Sequence, residues 1–197
     1  MLKRFVDIFL SLLGLVIILI PSIIIALLIV IDSKGGVFYI QQRIGKNFKP
    51  FGIYKFRTMR PHSDSLGLLT VGSADNRITR VGSFLRKYKI DELPQLINVI
   101  KGDMSIVGPR PEVPKYVKLY SDEQKKVLMV RPGISDLASI VYFDENDILA
   151  KSNNPEQTYI DVVMPAKLEL GLKYVENQSF TLDLKIILKT FMKIIKR

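Results

Sequence analysis

The sequence predicts a mixed α/β, helix-dominated fold: a bent N-terminal membrane helix, then a small compact domain with amphipathic helices at the membrane plane. Three observations carry this reading. An apolar run extends from Phe5 to Ile31 and is interrupted by Pro21-Ser22. Two short stretches rich in aromatic and β-branched residues follow it. Beyond them, apolar residues recur mainly at helical spacing to the end of the chain.

The apolar run is about 27 residues, ~40 Å as a straight helix, enough to cross a hydrocarbon core of roughly 30 Å. Pro21 lacks a backbone donor and its ring crowds the preceding turn, so a kink or break is expected at Pro21 and Ser22. Each arm is then too short to cross comfortably alone. Both flanks are basic, with Lys3 and Arg4 before the run and Lys34, Arg43, Lys46 and Lys49 after it. Positive charge favours the cytoplasmic side, so a helix that enters, bends at Pro21 and returns satisfies both flanks. A kinked span is the rival reading, and a buried soluble helix the third. Ile31-Asp32-Ser33-Lys34 has no small-residue cleavage site and reads against a signal peptide. Asp7, the ionisable residue within the run, stands four residues after Lys3 and reads as its paired carboxylate at headgroup level.

Residues 1–34 therefore read as a re-entrant anchor and 35–197 as a cytoplasmic domain, whose roughly 160 residues suffice for one core. Lys and Arg number 29 against 19 Asp and Glu, a formal charge of +10. That excess calls for partners of opposite sign: anionic lipid, a phosphorylated substrate or nucleic acid. The aromatics do not interleave with the basic residues as a base-stacking surface requires, which argues against nucleic acid. With no cysteine there is no disulfide framework and no thiolate chemistry, consistent with a reducing compartment. The single histidine, His62, argues against His-based metal sites and a Ser-His triad, and reads as a solvated loop residue after Pro61. No internal repeat or low-complexity tract is present.

Val37 to Ile40 and Pro50 to Phe56 read as strands joined through a Gly45-Lys46-Asn47 turn. Pro61 to Asp75 is a polar loop. From Arg80 to Lys89, Val81, Phe84, Leu85 and Tyr88 recur at helical spacing with basic residues between them. Asp91 reads as the N-cap of a following helix, with Pro94 in its first turn and Gly102 ending it. Val113 to Val130 reads as a further helix closed by Arg131-Pro132-Gly133, and 144–157 as a loop. Met164 to Glu176 and 180–197 read as the last helices. In the final one, Leu182, Ile186, Leu188, Phe191, Ile194 and Ile195 are apolar, while Lys185, Lys189, Lys193 and Lys196 share a face. Such a helix suits the interface of an anionic membrane, with packing on the core as the alternative. Asn177-Gln178-Ser179 matches a glycosylation sequon, which a cytoplasmic face leaves without meaning.

The densest polar information lies between Lys89 and Glu112. Asp91 and Glu92 are adjacent carboxylates at a helix start, where the partial positive charge stabilises anions, an incoming phosphate included. Arg86 and Lys89 lie just upstream. Arg110, bracketed by Pro109 and Pro111, is presented from a stiff turn, and a rigidly held guanidinium suits bidentate phosphate recognition. Taken alone, an Asp-Glu pair opening a helix also reads as a cap; the company of arginines and a membrane anchor points towards phosphate chemistry.

Asp91-Glu92-Leu93-Pro94-Gln95, Lys101-Gly102-Asp103-Met104-Ser105 and Gly108-Pro109-Arg110-Pro111 resemble the bacterial sugar transferases, monotopic phosphoglycosyltransferases that act on polyprenyl phosphate. Lys3-Arg4 with Asp7, Gln42 and Arg43 with Gly45, Tyr54 to Met59, Arg131-Pro132-Gly133, and Ser179-Phe180 with Leu182-Asp183 fit the same family. The resemblance runs in order over nearly the whole chain, in the family's minimal form. It implies transfer of a sugar 1-phosphate from a UDP-sugar to undecaprenyl or a similar polyprenyl phosphate, with release of UMP. It further implies Asp91 as nucleophile and Mg²⁺ contact, and Glu92 orienting or deprotonating the acceptor phosphate. Arg86 and Arg110 would hold donor phosphates with Lys55 in support. Arg131 is divided between substrate contact and a purely structural place. Anionic membrane lipid, downstream glycosyltransferases and a second copy of the chain are further partners compatible with the family. The expected place is the cytoplasmic face of the bacterial inner membrane. Pro21-Ser22 reverses the family's usual Ser-Pro, and the stretch Gly133 to Ser139 and the loop 144–157 also depart from it, with bearing on which sugar is accepted. A membrane-tethered scaffold and a polyprenyl phosphatase or pyrophosphatase are the competing functions.

Overall fold

The structure, a computed structural model, describes residues 2–61, 63, 67, 69–72 and 75–196. His62 lies outside the described residues. The first helix, α1 (Leu2–Asp32), is assigned without interruption through Pro21, so the proline does not divide it into two elements. Pro21 is exposed and Ser22 half-buried. The helix is long and apolar enough to cross a membrane, and Phe5, Val16, Ile20 and Ile31 stand exposed along it.

Both ends of α1 are fastened to the rest of the chain. Lys3 Nζ donates to Asp183 Oδ2 at 2.6 Å and to the Val107 carbonyl at 3.1 Å. Arg4 donates to the carbonyls of Val99 and Ile100, the C-terminal turn of a later helix. Asp7 is buried and accepts from Ser105 Oγ at 2.8 Å and Ile106 N at 3.3 Å. The Lys3–Asp7 pair expected from sequence spacing is therefore replaced by two longer-range attachments. A buried carboxylate requires fixed donors, and the domain supplies them. At the other end, Arg57 donates to the carbonyls of Ser33 and Lys34, and Asp32 accepts from Val81 N at 2.8 Å.

Strands β1 (Phe38–Ile44) and β2 (Pro50–Phe56) form an antiparallel hairpin, with Phe38 opposite Phe56 and Ile44 opposite Pro50. Helix α2 (Arg80–Lys87) is capped by Thr79, whose side chain accepts from Gly82 N. A Cβ on Gly82 would lie 2.0 Å from the Thr58 carbonyl oxygen, so glycine alone allows α2 to sit directly on the end of the hairpin.

Asp91 is not a helix N-cap. It lies inside a 3₁₀ turn, Ile90–Glu92, preceded by Lys89 in the left-handed region (φ 56°), and α3 (Gln95–Lys101) begins only after Pro94. Gly102 (φ 95°) ends α3 as expected. The fully buried Asn98 fixes α3 to the hairpin: it accepts from Tyr54 N and donates to the Gly52 carbonyl.

Two three-residue strands, β3 (Ser105–Val107) and β4 (Gly133–Ser135), pair in parallel. Their backbones cross so closely that a Cβ on Gly133 would stand 2.1 Å from Gly108 N, and one on Gly108 2.4 Å from the Arg131 carbonyl oxygen. Between them the expected long helix is broken into α4 (Pro114–Val117) and a 3₁₀ turn, Gln124–Met129. The stretch 144–157, expected as loop, contains α6 (Glu145–Ala150) and α7 (Pro155–Thr158) after α5 (Leu137–Val141). A π turn, Tyr159–Val163, leads into α8 (Met164–Glu176), and α9 (Phe180–Ile195) follows.

The largest apolar cluster joins Val113, Tyr116, Val127, Leu149, Val163 and Leu168. Smaller clusters unite Ile29 with Phe56 and Leu85, Ile53 with Val99 and Met104, and Val107 with Tyr174 and Ile186. Ile186 docks α9, whereas Phe180, Leu184, Leu188, Phe191 and Ile195 are exposed on another side of the same helix. Lys185, Lys189, Lys193 and Lys196 are also exposed.

Candidate active site

A cavity of about 640 Å³ opens between the hairpin, the 3₁₀ turn, the Pro109–Pro111 segment and the α5–α8 region. Lys55, Arg86, Asp91, Glu92 and Arg110, all singled out from sequence, line it. Arg131 does not: it is exposed and donates to the Gly102 carbonyl at 2.9 Å, satisfying the end of α3. Pro21 and Ser22 lie in the middle of α1.

The chain places each of these side chains by a local device. β2 carries Lys55 one residue before the buried Phe56. The Gly82 contact puts Arg86 beside Thr58, and its Nε donates to Thr58 Oγ1 at 2.8 Å while Nη1 donates to Thr70 Oγ1 at 3.0 Å. The Gly108–Gly133 crossing delivers Arg110 between buried Pro109 and Pro111. Arg43 reinforces that segment through Glu112 Oε1 at 3.0 Å and the Pro111 carbonyl at 3.1 Å. Glu112 also accepts from the Tyr159 hydroxyl.

Glu92 and Asp91 are neighbours with opposite environments. Glu92 Oε1 accepts from Lys55 Nζ at 2.9 Å and from Arg110 Nη2, and its Oε2 from Arg110 Nη1 at 3.2 Å. Burial pushes the Glu92 carboxyl up, but Arg110 and Lys55 outweigh it and hold the group well below the usual carboxylate range. Glu92 is thus a fixed anion and a poor base. Asp91 is equally buried, 7% exposed, and its Oδ1 has no hydrogen-bond partner among the described residues. Burial raises its pKa, the positive charge of Lys55 offsets part of that, the Glu92 charge adds to it, and Arg86 and Lys89 oppose it. Burial likewise pushes the Lys55 ammonium down, against the pull of Glu92 and Asp91.

The arrangement is a carboxylate with a free oxygen, in a low-dielectric site, facing fixed cations. It suits nucleophilic attack on a phosphorus atom whose non-bridging oxygens those cations hold. The anion stabilisation at Asp91 comes from side chains rather than from a helix terminus. Among the described residues no cluster of three His, Asp or Glu stands ready for a metal. The unpartnered Asp91 Oδ1 fits a Mg²⁺ ion that keeps its waters and takes other ligands from a substrate diphosphate. Sequence reasoning gave no role to Thr58, Thr70, Asn98, Glu112 or Tyr159; of these, Thr58 stood in the Tyr54 to Met59 motif and Glu112 directly followed the Pro-Arg-Pro turn.

A family profile described as bacterial sugar transferase matches residues 1–197. The chain is 39% identical over 173 residues to a UDP-N-acetylgalactosamine-undecaprenyl-phosphate N-acetylgalactosaminephosphotransferase of Aeromonas hydrophila, covering 86% of this chain and 38% of that protein. It is 36% identical over 195 residues to a UDP-glucose:undecaprenyl-phosphate glucose-1-phosphate transferase of Klebsiella pneumoniae, covering 97% of this chain and 39% of that protein. It is also 36% identical over 204 residues to the exopolysaccharide production protein PSS of Rhizobium leguminosarum bv. phaseoli, covering 100% of this chain and 96% of that protein. The chain thus spans about two fifths of the first two relatives and nearly all of the third. A full-length profile match, together with that near end-to-end relative, places the chain in the bacterial sugar transferase family.

Proposed function

We propose that this chain transfers a sugar 1-phosphate from a UDP-sugar to undecaprenyl or a similar polyprenyl phosphate in two displacements through Asp91. The observation that carries the reading is the buried Asp91 oxygen without a protein partner, set among Lys55, Arg86 and Arg110. The names of the Aeromonas and Klebsiella relatives support the donor and acceptor classes.

In the first displacement, an Asp91 carboxylate oxygen attacks the phosphorus bearing the sugar. The bond to the bridging oxygen breaks, and UMP leaves with that oxygen and its electron pair. Arg86, braced by Thr58 and Thr70, and Arg110, braced by Glu92, hold the phosphate oxygens as charge develops. In the second, a phosphate oxygen of the polyprenyl phosphate attacks the same phosphorus and the Asp91 carboxylate leaves. An ionised phosphate needs no base, so the low pKa of Glu92 suits positioning of Lys55 and Arg110 better than proton abstraction. Asp91 and the donor diphosphate would hold Mg²⁺, which when bound neutralises diphosphate charge.

The proposed location is the cytoplasmic face of the bacterial inner membrane, with α1 re-entrant rather than spanning. Attachment of both ends of α1 to one domain supports it, since a span would separate them by a bilayer. The exposed apolar strip of α9, flanked by lysines, supports contact with an anionic lipid surface. The test is UMP release by the purified protein in nanodiscs, across a panel of UDP-sugars with Mg²⁺ and undecaprenyl phosphate. UMP from one sugar, absent with Asp91→Asn, is expected. Free phosphate without any nucleotide-sugar requirement would indicate a phosphatase instead.

A further inference from the structure

A second pair of cations, given no phosphate contact in the two displacements, meets at Phe143, which lines the cavity. Phe143, just beyond α5, is approached by two lysines from different parts of the chain. Lys89 Nζ stands 5.3 Å from the ring centroid and Lys193 Nζ 5.7 Å. Lys89 belongs to the catalytic turn, two residues before Asp91, and both Lys89 and Phe143 line the cavity. Lys193 comes from α9, which packs against α5, β3 and β4. Neither ammonium forms a hydrogen bond or close ion pair among the described residues, and the Lys89 charge acts at longer range on Asp91 and Glu92.

Gathering two like charges on one ring is unfavourable by Coulomb repulsion. A cation–π contact of roughly 0.5–1 kcal/mol at a partly exposed site does little to offset the lost hydration. Lys89 is held there by a left-handed backbone that a residue with a Cβ rarely adopts. Each ammonium keeps donors that a phosphate with several acceptor oxygens can take in turn as it moves past the ring. Lysine, a compact charge with three donors, suits such a ligand.

The positions of the two lysines say which phosphate. Lys193 lies on α9, whose exposed Phe180, Leu184, Leu188, Phe191 and Ile195 form the strip assigned to the lipid surface. A phosphate carried on a lipid therefore meets Lys193 first. It then passes Phe143 and Lys89, and reaches the turn holding Asp91. A soluble donor has no reason to approach from that helix, and Arg86 and Arg110 already serve it.

We propose that Lys89 and Lys193, brought together on the Phe143 ring, form a docking site for the phosphomonoester of the acceptor lipid between the membrane surface and Asp91, an inference that rests on the transferase reading above. The phosphates of bulk anionic lipids share this chemistry, and the membrane composition separates the two sources. Steady-state UMP release is measured in nanodiscs of phosphatidylcholine alone and of phosphatidylcholine with phosphatidylglycerol, varying undecaprenyl phosphate and UDP-sugar in turn. In phosphatidylcholine alone, Lys89→Gln and Lys193→Gln are each expected to raise the acceptor KM about tenfold, the scale of one lost charge-assisted contact, with the donor KM within about twofold. Lys193→Arg is expected to recover most of the loss. Lys126→Gln, which removes the same charge from a surface pair with Glu123, is expected to leave both constants as they are. If Lys89→Gln melts early, Lys193→Gln, exposed on α9, carries the test. An acceptor KM unchanged in folded Lys193→Gln overturns the docking site, as does an equal rise in donor KM or an effect seen only with phosphatidylglycerol. UMP absent from the wild type in every arm overturns the transferase reading and the docking site together.

Discussion

At the scale of single residues, the site rests on two adjacent carboxylates that the fold treats differently. Glu92 is triply donated to, and Asp91 keeps a buried oxygen without a partner. The linkage to stability has opposite signs. Glu92, with its pKa depressed, contributes stability that is present above its unfolded value and lost as pH falls through the folded one. Asp91, with its pKa raised, contributes stability that is present below its unfolded value and lost as pH rises through the folded one. Asp91→Asn is accordingly expected to abolish turnover while raising stability near neutral pH by about 1 kcal/mol, read as an increase in Tm. Glu92→Gln is expected to lower it by roughly 3 kcal/mol, because Lys55 and Arg110 lose their shared anion. On the proposed mechanism attack requires ionised Asp91, so the acid limb of UMP release is expected above the ordinary aspartate value of 3.8. Lys55→Met, which removes a charge that lowers the Asp91 pKa, should move that limb to higher pH in a pH–rate profile. Asp91, Glu92, Arg86 and Arg110 were legible as charged residues in or beside a dense motif, whereas Lys55 was named only through the family resemblance. The bracing roles of Thr58 and Thr70 were not legible, because a hydroxyl that holds an arginine 16 or 28 positions away leaves no local pattern.

At the scale of elements, close backbone contacts aim the side chains. Gly133→Ala would force a Cβ to 2.1 Å from Gly108 N, and is expected to cost roughly 2–4 kcal/mol and to reduce activity through Arg110, measured by denaturant unfolding beside UMP release. The hairpin, α3 with its Gly102 stop, α8 and α9 were readable because alternation, helical spacing and glycine punctuation agree there with the fold. Val113, Tyr116, Val117 and Tyr120 have helical spacing, yet the regular helix stops at Val117, and only a 3₁₀ turn follows at Gln124–Met129. Spacing reported that these residues share a buried face, not that one helix carries them all. The strands β3 and β4 are too short for periodicity to register, and their pairing is set by two glycines about 25 positions apart in sequence. Asp91 was read as a cap because it precedes a helical stretch, but Pro94 marks where the regular helix begins.

At the scale of the whole molecule, the first and last helices meet. Lys3 and Tyr174 both donate to Asp183, so α1 and α9 are locked together beside β3, a few residues from the Pro-Arg-Pro turn. Breaking this junction with Asp183→Asn is expected to lower Tm and to loosen both membrane-directed helices at once. The absence of cysteine permits a clean topology test: single cysteines at exposed Leu2 and Lys34 should react with an impermeant thiol reagent from the same side of sealed vesicles. Reaction from opposite sides would establish a span. On the proposed mechanism these attachments hold Asp91 where a soluble donor and a lipid acceptor reach it in turn. The most direct measurement is therefore to incubate the protein, without acceptor, with a UDP-sugar labelled in the phosphate that bears the sugar, and then map the label by mass spectrometry. The account expects label bound covalently to the peptide containing Asp91, discharged by undecaprenyl phosphate and absent from Asp91→Asn. Efficient transfer with no protein-bound label, or label persisting in Asp91→Asn, would contradict it.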